Sequence, residues 1–311
     1  MREIVIQKND ADQRVDKFIM KTMKQMPKSL MYKYIRNKKI KVNRKRCEIS
    51  QRLQEGDVLQ CFIPEEFFES SHDLHFLKVP SELDVIYEDT QLLIVNKPAG
   101  LLAHSDTSMI QDNLADRLLH YLYEKHEYDP EQEQSFAPAL CHRIDRNTQG
   151  IVICAKTSEA LRYMNEKIRN RELDKRYLCL VEGKLKKKED RLILYHKKLD
   201  HNIADIIPYE KEGYQRIDTG YRVIEEKQDE SVVEVDLHTG KSHQIRAVMA
   251  YLKHPLVGDI KYGAKKGKRK YQALCAYQVS FHFQEEDGVL QAVNHKTFTI
   301  PNIDWLDLKG K

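Results

Sequence analysis

The sequence predicts an α+β protein in which a small basic N-terminal domain precedes a larger, mixed and largely antiparallel domain. The length of 311 residues suggests about two domains, at roughly 150 residues per domain. Strand-like and helix-like segments are interspersed from Asp84 onward, which is typical of α+β folds. Residues Arg14 to Cys61 hold 14 Lys and Arg against 4 Asp and Glu, a net +10, so the rest of the chain carries a net −6. This asymmetry predicts a polyanion-binding module joined to a near-neutral body.

Two helices are predicted in the basic module, one on each side of Pro27, which interrupts the pattern. Their apolar residues recur at helical spacing: Val15, Phe18, Ile19 and Met23 in the first, and Leu30, Tyr34 and Ile35 in the second. Asp12 is a candidate N-cap of the first helix. The remaining predicted features are a strand over Ile40–Val42, turns at Asn43-Arg44 and Gly56-Asp57, and a strand over Val58–Ile63.

The segment RVDKFIMKTMKQMPKSLMYKYIRNKKIKVNRKRCEISQRLQEGDVLQ resembles the alpha-L RNA-binding motif, a fold shared with a small-subunit ribosomal protein. The basic helix pair, the I-K-V-N strand and the G-D turn carry the resemblance, although that family usually has Gly where Lys39 and Arg44 stand. The resemblance implies an RNA-binding domain over residues 1–63, with five basic contacts: Lys28, Lys33, Arg36, Lys39 and Arg44. A merely solvated basic surface, or a surface for an acidic protein, remains the alternative at this point.

Residues 64–83 are predicted to connect this domain to a second domain over 84–311. In the second domain the predicted strands are Leu92–Val95, Gly150–Ala155, Arg176–Val181 and Val233–Leu237. Three predicted helices carry apolar stripes: Leu114, Leu118 and Leu122; Leu161, Met164 and Ile168; and Ile245, Val248, Met249 and Leu252. Ser158 and Ser242 are candidate caps of the last two helices.

Three polar clusters in this domain are candidates for chemistry. The segment C-H-R-I-D-R-N-T-Q-G at 141–150 places the carboxylate of Asp145 between two arginines, which favour its charged form. The segment H-T-G-K-S-H-Q-I-R at 238–246 joins a strand to a helix and puts Arg246 beside the apolar stripe. The segment K-R-Y-L-C-L-V-E-G at 175–183 places Tyr177 on a strand face. Taken singly, each is also consistent with a surface ion pair, a snorkelling arginine or a core tyrosine.

Together with I-V-N-K-P-A-G-L at 94–101, these clusters resemble, in order, the signatures of the RluA family of RNA pseudouridine synthases over residues 84–264. The resemblance implies isomerisation of uridine in RNA to pseudouridine. Asp145 would start the reaction by attacking the sugar or base or by removing a sugar proton, and Arg246 would pair with it. Tyr177 would lie against the flipped uracil and remove the proton from the new attachment carbon. Asn147, Gln149 and Lys241 depart from the usual residues.

The same resemblance implies supporting roles around the substrate RNA. Arg143 would fill the gap left by the flipped base, because guanidinium planes stack on bases. His142 would support that loop, Lys97 would be a structural or phosphate contact, and Lys241 and His243 would contact RNA. The reaction needs no redox cofactor, and no G-x-G-x-x-G or P-loop motif is present. The scattered cysteines predict neither disulfides nor a metal site.

We therefore expect a cytoplasmic, monomeric RNA pseudouridine synthase that acts on ribosomal RNA and has no membrane association. Two alternatives remain: a non-catalytic RNA-binding or ribosome-assembly protein, and a synthase directed to tRNA. A glycoside hydrolase is disfavoured, because that class usually needs two facing carboxylates.

Overall fold

The computed structural model describes residues 1–68, 74–105, 111–285, 288–303 and 305–306. It confirms the α+β class, with one four-stranded and one eleven-stranded sheet among the described residues. The N-terminal elements are β1 (Arg2–Val5), α1 (Val15–Thr22), α2 (Lys28–Arg36), β2 (Ile40–Val42), β3 (Lys45–Arg46) and β4 (Val58–Cys61). Their strands pair antiparallel in the order β1-β4-β2-β3.

The small sheet and its two helices enclose a separate apolar core that includes Phe18, Ile19 and Met31. The predicted turn between β2 and β3 forms without glycine, because Asn43 and Arg44 both adopt left-handed backbone angles, with φ of 50° and 65°. Such angles are strained for most side chains, although Asn tolerates them. A hydrogen bond of 2.7 Å from the Asn43 amide to Asp57 ties this turn to the G-D turn.

The larger sheet is formed by residues after the connector. Its elements are β5 (Val85–Glu88), β6 (Leu92–Lys97), α3 (Leu114–Glu124), β7 (Ala139–Leu140), β8 (Gln149–Ala155), α4 (Ser158–Arg169), β9 (Leu173–Glu182), β10 (Glu189–Lys198), β11 (Ala204–Ile207), β12 (Gln215–Glu226), β13 (Glu230–Leu237), α5 (Gln244–Tyr251), β14 (Leu274–Phe281) and β15 (Thr297–Thr299). The main order is β11-β10-β12-β13-β9-β14-β8-β6-β5, with β15 on β14 and β7 on β8. Only the β8–β14 pair is parallel among the described strands, so the largely antiparallel prediction is confirmed.

Alternate residues of β6 and β8 are buried on opposite faces of the sheet, because successive side chains of a strand point to opposite sides. Leu93, Val95 and Val152 belong to the core that includes α3 and α5. Ile94 and Ile153 point to the opposite core, which includes α4. Helices therefore cover both faces of the sheet at β6 and β8.

Side chains of the connector pack on both hydrophobic cores. Phe76 packs in the larger core, with its ring 5.8 Å from that of Tyr123, whereas Phe67 and Phe68 pack on the smaller core. Residues 69–73 of the predicted 64–83 connector lie outside the described residues. The boundaries at 63 and 84 stay predictions.

Three predicted helix caps are wrong. Arg14 occupies the N-cap of α1 rather than Asp12, and the Thr157 side chain, rather than Ser158, caps α4 by accepting from Ala160. At α5 the N-cap is His243, in a left-handed conformation, rather than Ser242. In the described residues no helix is long and apolar enough to cross a membrane.

Candidate active site

Asp145 lies in the loop between β7 and β8, just before a point where two strands approach very closely. Gly150 has a φ of +143°, and a Cβ there would lie 2.5 Å from both the Cβ and the backbone N of Ala276 on β14. No larger residue fits this approach, so the close parallel pairing of β8 with β14 requires glycine. The Asp145 carbonyl accepts from the Thr148 amide at 3.1 Å. The side chain of Asp145 keeps an exposed fraction of 30%, so its carboxylate is accessible.

Lys97 joins the Asp145 loop to the loop after β6. Its side chain is fully buried, and Nζ donates to the carbonyls of Pro98, Leu101 and Arg146 at 2.9, 2.8 and 3.0 Å. Three acceptors match the three protons of an ammonium group. Burial lowers the pKa of Lys97 to about 7, and the charge of Asp145 opposes that shift. Lys97 therefore makes a structural contact that joins the two loops, which is one of the two roles expected for it. Its buried amino group does not reach the surface, where phosphate would bind.

Arg246, on α5, contacts two carboxylates. Its Nε and Nη2 donate to the two oxygens of Asp259 at 2.7 and 2.8 Å, while Nη1 lies 3.4 Å from Asp145 Oδ2. Asp259 is almost completely buried, and this bidentate contact is the short one. These hydrogen bonds raise the pKa of Arg246 against the opposing effect of burial. The expected Arg246–Asp145 contact is thus present, but it is the weaker arm of a two-carboxylate arrangement.

His243 is the second side chain that lies beside Asp145. Its Nε2 lies 3.7 Å from Asp145 Oδ2, and its Nδ1 lies 3.0 Å from the hydroxyl of Tyr262. Burial lowers the pKa of His243, and this effect outweighs the attraction of Asp145. The Arg246 guanidinium carbon lies 5.0 Å from the centre of the Tyr262 ring. His243 was expected to contact RNA, which stays a prediction; in the structure its Nε2 faces the Asp145 carboxylate.

Tyr177 is on β9 and is buried, with 8% of its surface exposed. Burial raises the pKa of its hydroxyl, and the charge of Asp145 raises it further. The hydroxyl is therefore protonated at neutral pH when the site is empty. Of the three residues expected to act together, Asp145 contacts Arg246 and its charge acts on the Tyr177 hydroxyl.

The other expected residues of the larger domain divide into one structural residue and two exposed ones. His142 accepts a hydrogen bond from the Ile153 amide at 3.2 Å through Nε2, and desolvation lowers its pKa, so it supports the loop as a neutral side chain. Arg143 and Lys241 are exposed, in the loops that carry Asp145 and His243.

The five basic residues expected in the N-terminal domain are all exposed, and among the described residues none forms an ion pair: Lys28, Lys33, Arg36, Lys39 and Arg44. The first three lie on α2, and the other two flank β2. Lys28 lies 5.7 Å from the centre of the Tyr32 ring. Their charges are available to an external anion.

Sequence reasoning missed Asp259 and Tyr262, which hold Arg246 and His243. Both lie in the G-D-I-K-Y-G stretch at 258–263, within the segment that carried the resemblance. The available signal was an acidic residue shortly after a helix whose arginine needed an anionic partner. Gln244 was also missed; it is buried and donates to Thr219 Oγ1 at 2.9 Å, which fixes the start of α5.

This geometry belongs to a known class of RNA-modifying enzyme. The family model described as RNA pseudouridylate synthase matches residues 91–251, just over half of the chain, and includes Asp145, Tyr177 and Arg246. The chain therefore belongs to the RNA pseudouridine synthases, which are isomerases, and the resemblance to these enzymes over residues 84–264 is confirmed.

Individual relatives extend the match over nearly the whole chain. An uncharacterized RNA pseudouridine synthase of Mycoplasma capricolum is 31% identical, covering 98% of this chain and 99% of its own. The ribosomal large subunit pseudouridine synthase C of Buchnera aphidicola (subspecies Baizongia pistaciae) is 31% identical over 84% of this chain and 80% of its own. The solved structure of human RNA pseudouridylate synthase domain containing 4 superposes with a TM-score of 0.55 at 19% identity, covering 70% and 87% of the two chains, which shows the shared fold.

Proposed function

We propose that this enzyme isomerises uridines of large-subunit ribosomal RNA, with Asp145 as the residue that starts the reaction. The observation that carries the proposal is the environment of Asp145. Its partly exposed carboxylate lies 3.4 Å from a buried guanidinium, and its charge adds to the effect of burial in raising the pKa of Tyr177. The choice of RNA is supported by relatives named ribosomal large subunit pseudouridine synthase C in Buchnera aphidicola and Vibrio vulnificus.

The overall reaction balances without any external reactant. The bond between the ribose C1′ and the uracil N1 breaks, and a bond between C1′ and C5 forms. The proton on C5 leaves, and N1 gains a proton. Catalysis therefore needs a group that acts on the sugar or base, a shape that turns the uracil, and a path for one proton.

Arg246 has a dual role in this proposal. Its bidentate contact to Asp259 fixes the guanidinium plane, and the remaining Nη1 then faces Asp145. A guanidinium held in this way cannot swing onto Asp145 and neutralise it with a short bidentate contact. Arg246 thus faces the carboxylate on one side, and the other side of Asp145 stays open to substrate.

Tyr177 provides the wall against which the uracil lies. Its protonated hydroxyl is a poor base in the free enzyme, because both burial and the Asp145 charge raise its pKa. If Asp145 loses its charge on bonding to substrate, one cause of that shift disappears, and the Tyr177 hydroxyl becomes easier to ionise. Removal of the C5 proton by Tyr177 therefore fits a late step better than an early one.

RNA is held at two places in this proposal. Arg143 and Lys241 are exposed beside Asp145 and His243, where they can contact the flipped nucleotide and its phosphates. The exposed cations of α2 and its flanks are far more numerous and contact the RNA backbone. This division assigns residues 1–63 as an anchoring domain and 84–311 as the catalytic domain.

The direct test uses RNA transcripts that carry tritium at uridine C5. Isomerisation replaces the C5–H bond and releases tritium into water, so turnover is counted without knowing the site. Matched transcripts of large-subunit rRNA, small-subunit rRNA and a tRNA pool are compared, and modified positions are then mapped. We expect release only with large-subunit rRNA; release confined to tRNA would overturn the choice of RNA, and no release from any transcript or from native RNA of a strain lacking the gene would overturn the function.

A further inference from the structure

Four groups form a line from the edge of the large sheet to the catalytic carboxylate. The Ala204 amide, at the start of β11, donates to the Tyr262 oxygen at 2.8 Å. That oxygen lies 3.0 Å from His243 Nδ1, and His243 Nε2 lies 3.7 Å from Asp145 Oδ2. None of the roles expected from sequence uses Tyr262 or this line of contacts.

The hydrogen bond between Ala204 and Tyr262 has a fixed direction, because a backbone N–H can only donate and the Tyr262 oxygen accepts from it. The direction of the contact between Tyr262 and His243 depends on the tautomer of His243. Among the described residues, His243 Nδ1 lies beside the Tyr262 hydroxyl, and the hydroxyl can donate its proton to it. A neutral imidazole whose Nδ1 accepts must carry its proton on Nε2. That proton then faces Asp145.

The backbone at His243 has an unusual conformation that fixes where the imidazole ring points. His243 is the N-cap residue of α5, with φ of 57° and ψ of 20°, and its side chain makes no capping hydrogen bond. A non-glycine residue in this region is strained, and such strain often occurs at functional sites. The Tyr262 ring packs edge-to-face on the imidazole, with centroids 5.7 Å apart and planes at 82°.

We propose that His243 is a positioning residue for Asp145, held by the Tyr262 hydroxyl in the tautomer that presents Nε2–H to the carboxylate. This rests on the proposed role of Asp145 in starting the reaction. The 3.7 Å separation is longer than a hydrogen bond, and contacts of this kind commonly shorten when substrate binds. Arg246 and His243 then approach the same oxygen, Oδ2, and leave Oδ1 for substrate.

Charged groups around His243 act in both directions. Asp145 and Asp259 favour the imidazolium, whereas Arg246 and Lys261 oppose it, and desolvation is the largest effect. The net result is a lowered pKa, which keeps the ring neutral and the tautomer assignment meaningful at neutral pH. Losing the Tyr262 proton at Nδ1 should raise that pKa, because Nδ1 would be free to be protonated.

The test combines ¹⁵N spectra of histidine-labelled protein with kinetics of the Tyr262→Phe variant. Phenylalanine keeps the ring that packs on His243 and Arg246 but removes the hydroxyl. In the wild type we expect the Nε2–H tautomer for His243. In Tyr262→Phe we expect mixed tautomers, an upward-shifted titration of His243, and kcat lowered about three- to tenfold with KM for RNA unchanged.

A second variant protects the test against effects on folding. Glutamine can place an amide donor near the Nε2 position, so His243→Gln should retain more kcat than His243→Ala at equal thermal stability. His201→Gln is the control, since His201 is exposed and has the same left-handed backbone, with φ of 57°. It should leave kcat unchanged.

The outcomes separate this inference from the proposed function. An Nδ1–H tautomer in the wild type, or unchanged kcat in Tyr262→Phe, would overturn the role of His243 and leave Asp145 unaffected. Full turnover by Asp145→Asn would overturn the proposed function, and the positioning role with it, whatever the tautomer.

Discussion

Two carboxylates in this protein, one partly exposed and one buried, have opposite surroundings. Asp145 lies beside Arg246 and His243 and keeps part of its surface exposed. Asp10, in the N-terminal domain, is fully buried where that domain meets the larger one; Ser135 donates to Oδ1, but Oδ2 has no partner among the described residues. Nearby Glu133 also has a buried oxygen without a partner there.

The difference shows how surroundings divide carboxylates between chemistry and structure. Desolvation raises the pKa of Asp10 and that of Glu133, and the charge of Asp10 adds to the shift of Glu133. At Asp10 the effect of burial outweighs the attraction of Lys21 and favours the neutral form, so this carboxylate serves as a contact between domains. Asp145 instead lies beside a guanidinium and an imidazole and keeps an exposed side for substrate. Four changes follow in order of decreasing expected effect, and those at Asp145, Arg246 and Asp10 test this contrast directly.

The largest effect is expected at Asp145. Asp145→Asn keeps the shape of the side chain and removes the charge that attacks or abstracts, so turnover should fall by more than about 100-fold. Tritium release measures turnover, and filter binding checks that RNA affinity persists. Asp174→Asn, at an exposed aspartate, is the control. Turnover within about tenfold of wild type would contradict the role of Asp145.

Arg246→Lys should lower turnover by about 10- to 100-fold, because a point charge cannot contact Asp259 in a bidentate manner and still face Asp145. It should also lower the melting temperature, since Asp259 is buried and loses part of its partner. Arg222→Lys, at an exposed arginine paired with Glu234, should change neither quantity. Wild-type kinetics in Arg246→Lys would show that a fixed guanidinium plane is unnecessary.

Replacing the exposed cations Lys33, Arg36, Lys39 and Arg44 by glutamine should weaken binding to long rRNA. Each lost phosphate contact lowers the slope of log K against log salt by about 0.7–0.9. Point substitutions are preferable to deleting residues 1–63, because Gln13 and Asn9 hydrogen-bond to Ser135 and Glu133 of the larger domain.

The matched control for that variant is a second group of exposed lysines, between β9 and β10, changed in the same way: Lys184, Lys186, Lys187 and Lys188. An equal loss of slope in the control would mean that the N-terminal charges are not a dedicated anchor.

The smallest effect is expected at Asp10. Its folded pKa is raised, so its contribution to stability is fully present below the ordinary value of 3.8 and is lost as pH rises through the raised value. Asp10→Asn keeps an acceptor for Ser135 and cannot ionise. It should raise the melting temperature at pH 8 by about 2–4 °C and flatten its pH dependence.

Calorimetry between pH 4 and 8 measures this effect, with exposed Asp229 changed to Asn as the control. A lower melting temperature at pH 8 in Asp10→Asn would show that the ionised form is the stabilising one, and the contrast with Asp145 would fail.

Much of this architecture could be predicted from sequence where local signals are strong. The helix stripes of α1, α3 and α4 and the short strand β2 lie where periodicity predicted them. Strands β10 and β12 were missed, because their solvent-facing positions carry many charges and their pairing is set by distant partners. A helix cap such as His243 depends on a left-handed backbone that no propensity indicates.

The candidate site shows the same division. Asp145, Tyr177 and Arg246 could be singled out because the segments that hold them, taken together and in order, resemble the signatures of one family. The dominance of Asp259 over Asp145 as the partner of Arg246 could not, since it depends on how the chain after α5 folds back. Lys97 could be singled out, but its burial under three carbonyls requires the loop after β6 and the loop before β8 to meet.

This contact between the loop after β6 and the loop before β8 has a consequence for how the two loops open. Lys97 links segments 49 residues apart in the chain through its contact with Arg146, and the Gly100 amide reinforces the link by donating to the Arg146 carbonyl at 2.8 Å. Opening either loop would leave the buried amino group of Lys97 and several carbonyls without hydrogen-bond partners. The two loops therefore form one cooperative unit. We therefore expect the loop after β6 and the loop before β8 to open together, so that their hydrogen-bonded amides exchange at similar rates.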